Sequence, residues 1–190
     1  MKLLIIVDAQ NDFVTGALAN PDAQKAVPYI AEKLKKYANC EDREIIYTMD
    51  THYTEEWYKK TREGKNLPIA HCIEGTDGWQ ICPEIDPRIL NIQNYVVFSK
   101  GAFMLKDWEF SIVDEYCQRN VNIESIEIVG FCTDICVVSN ALALVRAFQY
   151  APNTRIIVDA KGCAGLTREK HLAALEVMDS CQIDIINKES

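Results

Sequence analysis

The sequence predicts an α/β fold: a doubly wound sheet of six mostly parallel strands with helices on both faces. Two observations support this fold class. Six short apolar, β-branched segments recur along the chain without strict alternation of apolar and polar residues, which is typical of strands covered on both faces. Stretches with apolar residues at helical spacing separate these segments, so helices are available to connect parallel strands.

The predicted strands and helices follow one another along the whole chain. Strands are expected at residues 3–7, 45–49, 95–98, 126–129, 156–158 and 183–186. Helices are expected at residues 22–37, 108–119, 134–150 and 167–178, and Thr167 is positioned to cap the last of them. Because no linker or repeat interrupts this series, residues 1–190 are predicted to form a single domain.

One long segment, at about residues 50–94, breaks the alternation. It is rich in polar residues, glycine and proline, and it is long for a connection inside a compact domain. Loops of this length are usually functional. We therefore expect an insertion that helps to form the functional site.

The composition argues against several classes of partner. The formal net charge is −8 and no cluster of lysine and arginine is present, which disfavours nucleic acid. No apolar run approaches the roughly 18 residues of a membrane span, and the N-terminal residues do not form a signal peptide. These features predict a cytoplasmic protein without a membrane partner, in which the eight cysteines are thiols.

Ionisable and nucleophilic side chains follow four of the predicted strands at the points where the strands end. Ligands of doubly wound sheets bind outside the carboxyl ends of the strands, so we expect these side chains to meet in one site. They are Asp8 after the first strand, Asp50 and His52 after the second, Lys100 after the third, and Cys132 and Cys136 after the fourth.

Cys136 is the candidate nucleophile of this site. It is expected in the first turn of a helix, where unpaired amide hydrogens and the positive helix end stabilise a thiolate and can bind an oxyanion. From its position alone, a buried core thiol is an equally good interpretation. Cys132 can line the site through its backbone amide.

Asp8 and Lys100 are the candidate partners of the nucleophile. A carboxylate at the end of a buried strand is costly unless it is paired or functional, and Asp8 can exchange a proton with the thiol and with a leaving amine. Lys100 can hold both groups in their charged forms. The alternatives are that Asp8 caps a turn and that Lys100 is a solvated surface residue.

Three motifs carry a resemblance to a known family: DAQNDF at residues 8–13, FSKGAF at residues 98–103 and GFCTDICV at residues 130–137. Together they resemble the isochorismatase-like cysteine hydrolases, which include the nicotinamidases, and the resemblance extends over the whole chain. It implies a catalytic triad of Asp8, Lys100 and Cys136. It also implies a cis peptide before Cys132, an oxyanion hole formed by the backbone amides of Cys132 and Cys136, a Rossmann-like sheet and a homo-oligomer.

A second group of residues has the chemistry of a metal site. Asp50, His52 and His71 offer a carboxylate and two imidazoles, which suit Zn²⁺, Fe²⁺ or Mn²⁺. From the residues alone, a structural capping role is as good an interpretation. The resemblance favours a divalent metal, with Zn²⁺ as the first expectation, that would bind the pyridine nitrogen of a ring substrate. Glu63 is a further candidate ligand.

The wall of the substrate pocket departs from the family pattern. In LPIAHCIEGT, residues 67–76, Leu67 replaces the aromatic residue that nicotinamidases commonly have before the proline, and one extra residue separates the proline from His71. Other aromatic residues are expected to form the pocket instead: Phe13, Trp57, Trp79 and Phe103.

The leading functional hypothesis is hydrolysis of a small carboxamide, nicotinamide to nicotinate and ammonia, through a cysteine thioester. A second hypothesis is a metal-independent cysteine hydrolase of a carbamoyl compound or ureide. A third is a catalytically silent binding module, which the intact triad argues against. A thiol redox sensor built from Cys132 and Cys136 is disfavoured, because Cys132 is expected to precede the helix.

Overall fold

The computed structural model describes residues 1–188, apart from the side chains of residues 109 and 110. Its strands are β1 (Lys2–Val7), β2 (Arg43–Asp50), β3 (Tyr95–Lys100), β4 (Ser125–Phe131), β5 (Arg155–Ala164) and β6 (Asp184–Ile186). They form one sheet in the order β3-β2-β1-β4-β5-β6, and every neighbouring pair is parallel. The doubly wound fold is therefore confirmed, with a wholly parallel sheet among the described residues.

The four predicted helices are present, although two of them begin irregularly. They are α2 (Pro21–Tyr37), α5 (Glu115–Gln118), α6 (Val138–Ala147) and α7 (Arg168–Ser180). A π-helical turn precedes α5 at Glu109–Asp114 and another precedes α6 at Thr133–Val137. Thr167 caps α7 as predicted, because its side chain accepts a hydrogen bond from the amide of Lys170.

The segment at residues 50–94 contains short helices. These are α3 (Glu55–Tyr58), α4 (Arg62–Asn66) and a 3-10 turn at Pro83–Ile85; a further short helix, α1 (Asn11–Val14), follows β1. Strand β5 is longer than predicted, because residues 159–164 include no β-branched residue and so lack the apolar β-branched signal. No helix within residues 1–188 is long and apolar enough to cross a membrane.

The two faces of the sheet bury separate cores. Alternate residues of β1 point in opposite directions, so Leu3 and Ile5 pack with α5, α6 and α7, whereas Leu4 and Ile6 pack with α2 and the end of the 50–94 segment. Each fully buried side chain of this size stabilises the fold by roughly 1.5–3 kcal/mol. The edge strands β3 and β6 are less completely covered, and β3 leaves Val96 exposed.

The order of the strands reverses between β1 and β4, and in doubly wound sheets ligands bind outside the carboxyl ends of the strands at such a position. The two strands approach closely there. Gly130, at φ +124°, pairs with Val7, and a Cβ atom at Gly130 would lie 2.1 Å from the carbonyl oxygen of Val7. A side chain at position 130 would therefore force β4 away from β1.

Candidate active site

The structure brings Asp8, Lys100 and Cys136 together at the carboxyl ends of β1, β3 and β4. The Lys100 ammonium lies 2.6 Å from Asp8 Oδ2 and 3.6 Å from Cys136 Sγ. It also donates a hydrogen bond of 3.0 Å to the carbonyl of Ala102. All three side chains are buried, so this ion pair lies in a medium where its interaction is much stronger than in water. We refer to these three residues as the nucleophile cluster.

Sheet register places the two charged partners. Asp50 of β2 pairs directly with Lys100 of β3, so the lysine lies beside the end of β2. Asp8 follows β1 with a left-handed backbone, φ +48°, and its amide donates to the carbonyl of Thr48 at 3.1 Å. The Thr48 hydroxyl in turn donates to Asp8 Oδ1 at 2.7 Å. One carboxylate oxygen is thereby held by Thr48 while the other faces Lys100.

Cys136 lies in the π-helical turn that follows β4. The amide of Val137 donates to the carbonyl of Cys132 at 3.1 Å, a bond between residues five apart that widens the turn around the thiol. The Phe131–Cys132 peptide is cis, as the resemblance implies. The oxyanion-hole role of the Cys132 and Cys136 amides stays a prediction.

The electrostatics of the nucleophile differ from the sequence-based expectation. Burial raises the pKa of the Cys136 thiol well above its usual value, the Asp8 carboxylate raises it further, and Lys100 only partly opposes this rise. Burial and Asp50 also raise the pKa of Asp8 against the opposing effect of Lys100. These shifts favour a protonated thiol at rest over the helix-stabilised thiolate expected from the sequence, because burial disfavours the charged form of the thiol.

Four side chains converge next to this cluster: Asp50, His52, Glu63 and His71, whose ligand atoms all lie within 4.8 Å of one another. Asp50 Oδ2 is 3.2 Å from His52 Nε2 and 3.3 Å from His71 Nε2. Glu63 Oε1 is 3.4 Å from His71 Nε2. We refer to these four residues as the ligand cluster. Glu63, a secondary candidate from the sequence, thus lies with the other three.

The ligand cluster fits a divalent metal. Both ring nitrogens of His52 are buried; Nε2 lies 3.2 Å from Asp50 Oδ2, but among the described residues neither nitrogen makes a hydrogen bond of good geometry, which is costly unless another group occupies that position. His71 Nδ1 hydrogen bonds with the carbonyl of Ile69 at 2.9 Å, which leaves Nε2 facing the two carboxylates. Two imidazoles and two carboxylates form a donor set suited to Zn²⁺ and similar ions.

The charges around His71 reinforce this interpretation. Burial by itself lowers the pKa of His71, but its hydrogen bonds with Asp50 and Glu63 outweigh burial and raise the pKa to about 10. In the same way, burial by itself raises the pKa of Asp50, and the two imidazoles and Lys100 reverse the effect and lower it. The cluster therefore stabilises positive charge at its centre.

The local fold explains how Glu63 reaches the cluster. Thr61 caps α4 by accepting a hydrogen bond from the amide of Gly64, and its hydroxyl donates to the carbonyl of Tyr58. A Cβ atom at Gly64 would lie 2.2 Å from the same Tyr58 carbonyl oxygen, so glycine allows α4 to pack closely against α3. These contacts hold the first turn of α4, which carries Glu63, against the segment that carries His52.

Two residues that the sequence did not single out hold Asp50 and His71 in place. Buried Gln10 donates to the carbonyl of Asp50 at 2.9 Å and accepts from the amide of Asp50 at 2.8 Å, and it also donates to the carbonyl of Trp79 at 2.8 Å. Asp12 Oδ2 accepts from the amide of Cys72 at 2.7 Å. Both lie within DAQNDF, so their position in that motif was the available signal.

Two of the aromatic residues predicted for the substrate pocket lie next to the imidazoles of the ligand cluster. Phe13 is buried and lies edge-on to the His71 ring at 5.5 Å, and Trp57 is 40% exposed at 6.4 Å from the His52 ring. Tyr58, which the sequence did not single out, is fully buried with its ring 4.7 Å from His52 and 5.2 Å from His71. Its hydroxyl donates to the carbonyl of Leu67.

The other two predicted aromatic residues, Trp79 and Phe103, make no ring contact with either imidazole among the described residues. Trp79 is partly buried and donates through Nε1 to the Thr51 hydroxyl at 2.9 Å. Phe103 is 45% exposed on the segment that follows Lys100. His171 is a packing residue, hydrogen bonded to Thr133 at 2.8 Å. All eight cysteines are free thiols, as predicted.

Comparison with known proteins agrees with this geometry. A family model described as the isochorismatase domain matches residues 2–190. The chain is 29% identical to the nicotinamidase/pyrazinamidase of Mycobacterium tuberculosis over 194 residues, which covers 98% of each chain.

Two solved structures share the fold. One is the pyrazinamidase of Pyrococcus horikoshii in complex with zinc, with a TM-score of 0.74, 24% identity and coverage of 97% of this chain and 98% of the other. The other is the pyrazinamidase/nicotinamidase of Streptococcus mutans, with a TM-score of 0.76, 24% identity and coverage of 98% of this chain and 100% of the other.

Proposed function

The chain belongs to the isochorismatase family of hydrolases, and from this premise we propose that it hydrolyses nicotinamide to nicotinate and ammonia through a thioester on Cys136. The observation that carries the proposal is the position of Asp50 between the two clusters. Its Oδ2 lies beside the imidazoles of the ligand cluster, and its Oδ1 is 3.9 Å from the Lys100 ammonium. A small amide can therefore contact both clusters at once.

The first chemical step uses the proton on Cys136. Asp8 accepts that proton as Sγ attacks the carbonyl carbon of the amide, so the thiolate forms only as the new carbon–sulfur bond forms. Lys100 remains protonated, because Asp8, Cys136 and Asp50 together outweigh burial and raise its pKa. It balances the negative charge that builds up around Asp8 and the sulfur. The backbone amides of Cys132 and Cys136 are the proposed donors to the oxyanion.

The remaining steps return the site to its starting state. Protonated Asp8 gives its proton to the leaving nitrogen, so ammonia departs and the acyl group stays on sulfur as a thioester. Asp8 then accepts a proton from water, whose oxygen attacks the thioester carbonyl. Nicotinate leaves, and the proton returns to the Cys136 sulfur. One amide and one water thus give one carboxylic acid and one ammonia.

We propose that Asp50, His52, Glu63 and His71 hold a divalent ion, with Zn²⁺ preferred over Fe²⁺ or Mn²⁺. When bound, the ion supplies a Lewis-acidic position for the pyridine nitrogen of the substrate. The aromatic residues proposed to contact the substrate ring are Phe13, Trp57, Trp79 and Phe103. Of these, Phe13 and Trp57 are supported by their positions against the imidazoles.

The experiment that tests this function measures nicotinate and ammonia in equal amounts from nicotinamide, with purified protein before and after metal removal. We expect product from the metal-loaded wild type and none from Cys136→Ala. The matched control is Cys163→Ala, which changes another buried thiol outside both clusters and should retain activity. If the folded wild type forms no nicotinate with any of the three metals, the proposal is wrong, and carbamoyl compounds become the next substrates to assay.

The proposal also includes the location, the oligomeric state and the partners of the protein. We propose a cytoplasmic homo-oligomer that acts on a small amide and has neither a nucleic-acid nor a membrane partner. The net charge of −8 supports the absence of a nucleic-acid partner. Light scattering of the purified protein across a range of concentrations tests the oligomeric state.

A further inference from the structure

Asn140 is an unusual residue for its position in α6. Asparagine is a poor helix former, because its amide competes for backbone hydrogen bonds. Here it lies within the helix and is fully buried, next to residues of the apolar core such as Ala141 and Leu144. An apolar residue would suit such a position better, so the polar side chain needs an explanation from its contacts.

The side chain of Asn140 uses its full hydrogen-bonding capacity. Oδ1 accepts from the amide of Leu105 and from the indole Nε1 of Trp108, each at 2.9 Å. Nδ2 donates to the carbonyl of Phe103 at 3.0 Å and to the carbonyl of Cys136 at 2.7 Å. An asparagine amide has two donor hydrogens and two acceptor lone pairs, and all four are satisfied by these partners.

These four bonds connect two parts of the candidate active site. One part is the turn that carries Cys136. The other is the segment of residues 101–108, which leaves β3 directly after Lys100 and carries Phe103. Lys100 links the same two parts a second time, because its ammonium contacts the carbonyl of Ala102 in the segment and the sulfur of Cys136.

We propose that Asn140 is a positioning residue for the hydrolysis, and that it holds the Cys136 turn and the 101–108 segment at a fixed separation. This inference rests on the proposed function, because Phe103 is proposed there to contact the substrate ring. Asn140 makes no contact with the reacting atoms; it acts through the Cys136 carbonyl on one side and the Phe103 carbonyl on the other. The reacting carbonyl of a substrate bound against the 101–108 segment is thereby held at a fixed distance from the Cys136 sulfur.

Two substitutions separate the two connections. In Asn140→Asp, a carboxylate can still accept from Leu105 and Trp108, but an oxygen replaces the amide donor and repels both carbonyls. In Asn140→Thr, the hydroxyl can donate to the Cys136 carbonyl four residues earlier in the helix, but it is too short to reach the segment. The first variant therefore loses the bonds to the Cys136 and Phe103 carbonyls but stays bound to the segment through Leu105 and Trp108, whereas the second keeps the bond to Cys136 and releases the 101–108 segment.

The test compares kcat and KM for nicotinamide at a temperature where each variant is folded. We expect Asn140→Asp to lose about tenfold to a hundredfold in kcat, because small displacements of reacting groups have effects of this size. For Asn140→Thr we expect a higher KM with a smaller loss of kcat. The matched control is Leu144→Ala, one turn further along α6, which removes core volume but none of the four hydrogen bonds of Asn140 and should keep both constants close to wild type.

A second measurement does not depend on the substrate. Peptide mapping follows the alkylation of Cys136 by iodoacetamide, which should be several-fold faster in Asn140→Thr than in the wild type or Leu144→Ala, because release of the segment opens access to the buried thiol. If both Asn140 variants keep wild-type kcat, KM and alkylation rates, or if Leu144→Ala shows the same changes, the inference is wrong. An inactive wild type would instead contradict the proposed function, and the alkylation rates would still decide the role of Asn140.

Discussion

The nucleophile cluster and the ligand cluster lie side by side, yet they are built in different ways. Each residue of the nucleophile cluster follows or ends a strand of the parallel sheet, so the ladder of backbone hydrogen bonds sets its position. In the ligand cluster only Asp50 ends a strand. His52, Glu63 and His71 come from the irregular segment that follows β2.

The difference shows in what supports each cluster. The separation of Asp8, Lys100 and Cys136 depends on strand register, which many cooperative hydrogen bonds maintain. The ligand cluster depends on single side chains that bind backbone groups: Gln10 at Asp50, Asp12 at Cys72, and Thr61 at Gly64. We therefore expect the ligand cluster to be the more easily disrupted of the two by a single substitution at a residue outside it.

The largest expected effect comes from Asp8→Asn, which keeps the volume of the side chain but removes the proton acceptor. We expect kcat to fall by about 10⁴-fold or more, as in other hydrolases that lose one member of a catalytic group. The metal content of the same samples should be unchanged, because Asp8 does not belong to the ligand cluster. Activity close to that of the wild type would show that another group accepts the thiol proton.

The second change, Gln10→Ala, tests the support of the ligand cluster. It leaves three backbone groups at Asp50 and Trp79 without partners, and at about 1 kcal/mol each the free energy of unfolding should fall by about 3 kcal/mol. Denaturant unfolding measures this loss, and elemental analysis should show reduced metal retention. Gln24→Ala is the control, since Gln24 donates only one such bond, to the carbonyl of Val14. Equal losses in the two variants would contradict the assigned role.

The third change, His52→Ala, removes a ligand. Zn²⁺ at a hundredfold excess over its dissociation constant should stabilise the wild type by about 2.7 kcal/mol, which raises Tm by roughly 5–10 °C for a chain of this size. Thermal unfolding of His52→Ala should show no such increase. His171→Ala tests whether the effect is specific to the cluster, because His171 lies outside it and its loss should leave the Zn²⁺-dependent increase intact.

The smallest effect concerns pH. Because burial raises the pKa of Cys136 above its ordinary value of 9.0, the folded protein keeps this proton above pH 9 while the unfolded chain loses it. Stability should therefore fall with rising pH in this range, by up to about 1.4 kcal/mol per pH unit from this group. Cys136→Ala should show a shallower decline in unfolding free energy above pH 9. A parallel decline in both proteins would contradict the raised pKa.

The order of strands and helices could be read from the sequence, because apolar segments and their spacing report directly on which surfaces are covered. The same pattern placed Asp8, Lys100 and Cys136 at strand ends, and their meeting follows from the way parallel strands share one edge. Asp50, His52 and His71 were recognisable as metal-binding residue types. The prediction that these three residues form one site relied on the family resemblance, since sequence spacing does not determine the path of an irregular segment.

Only the tertiary structure showed which residues support the two clusters and how deeply each group is buried. Tyr58 and Asn140 have no local signal that separates them from ordinary aromatic or polar residues, and the only signal for Gln10 was its place in DAQNDF, because the contacts that define their roles form only in the packed fold. The raised pKa of the Cys136 thiol also depends on the tertiary structure. A helix end favours a thiolate, whereas complete burial disfavours any unpaired charge, and burial is a property of the whole fold. The sequence alone predicted Cys136 as the nucleophile; the packed structure places its thiol near Asp8 and Lys100, in an environment that raises the pKa of the thiol.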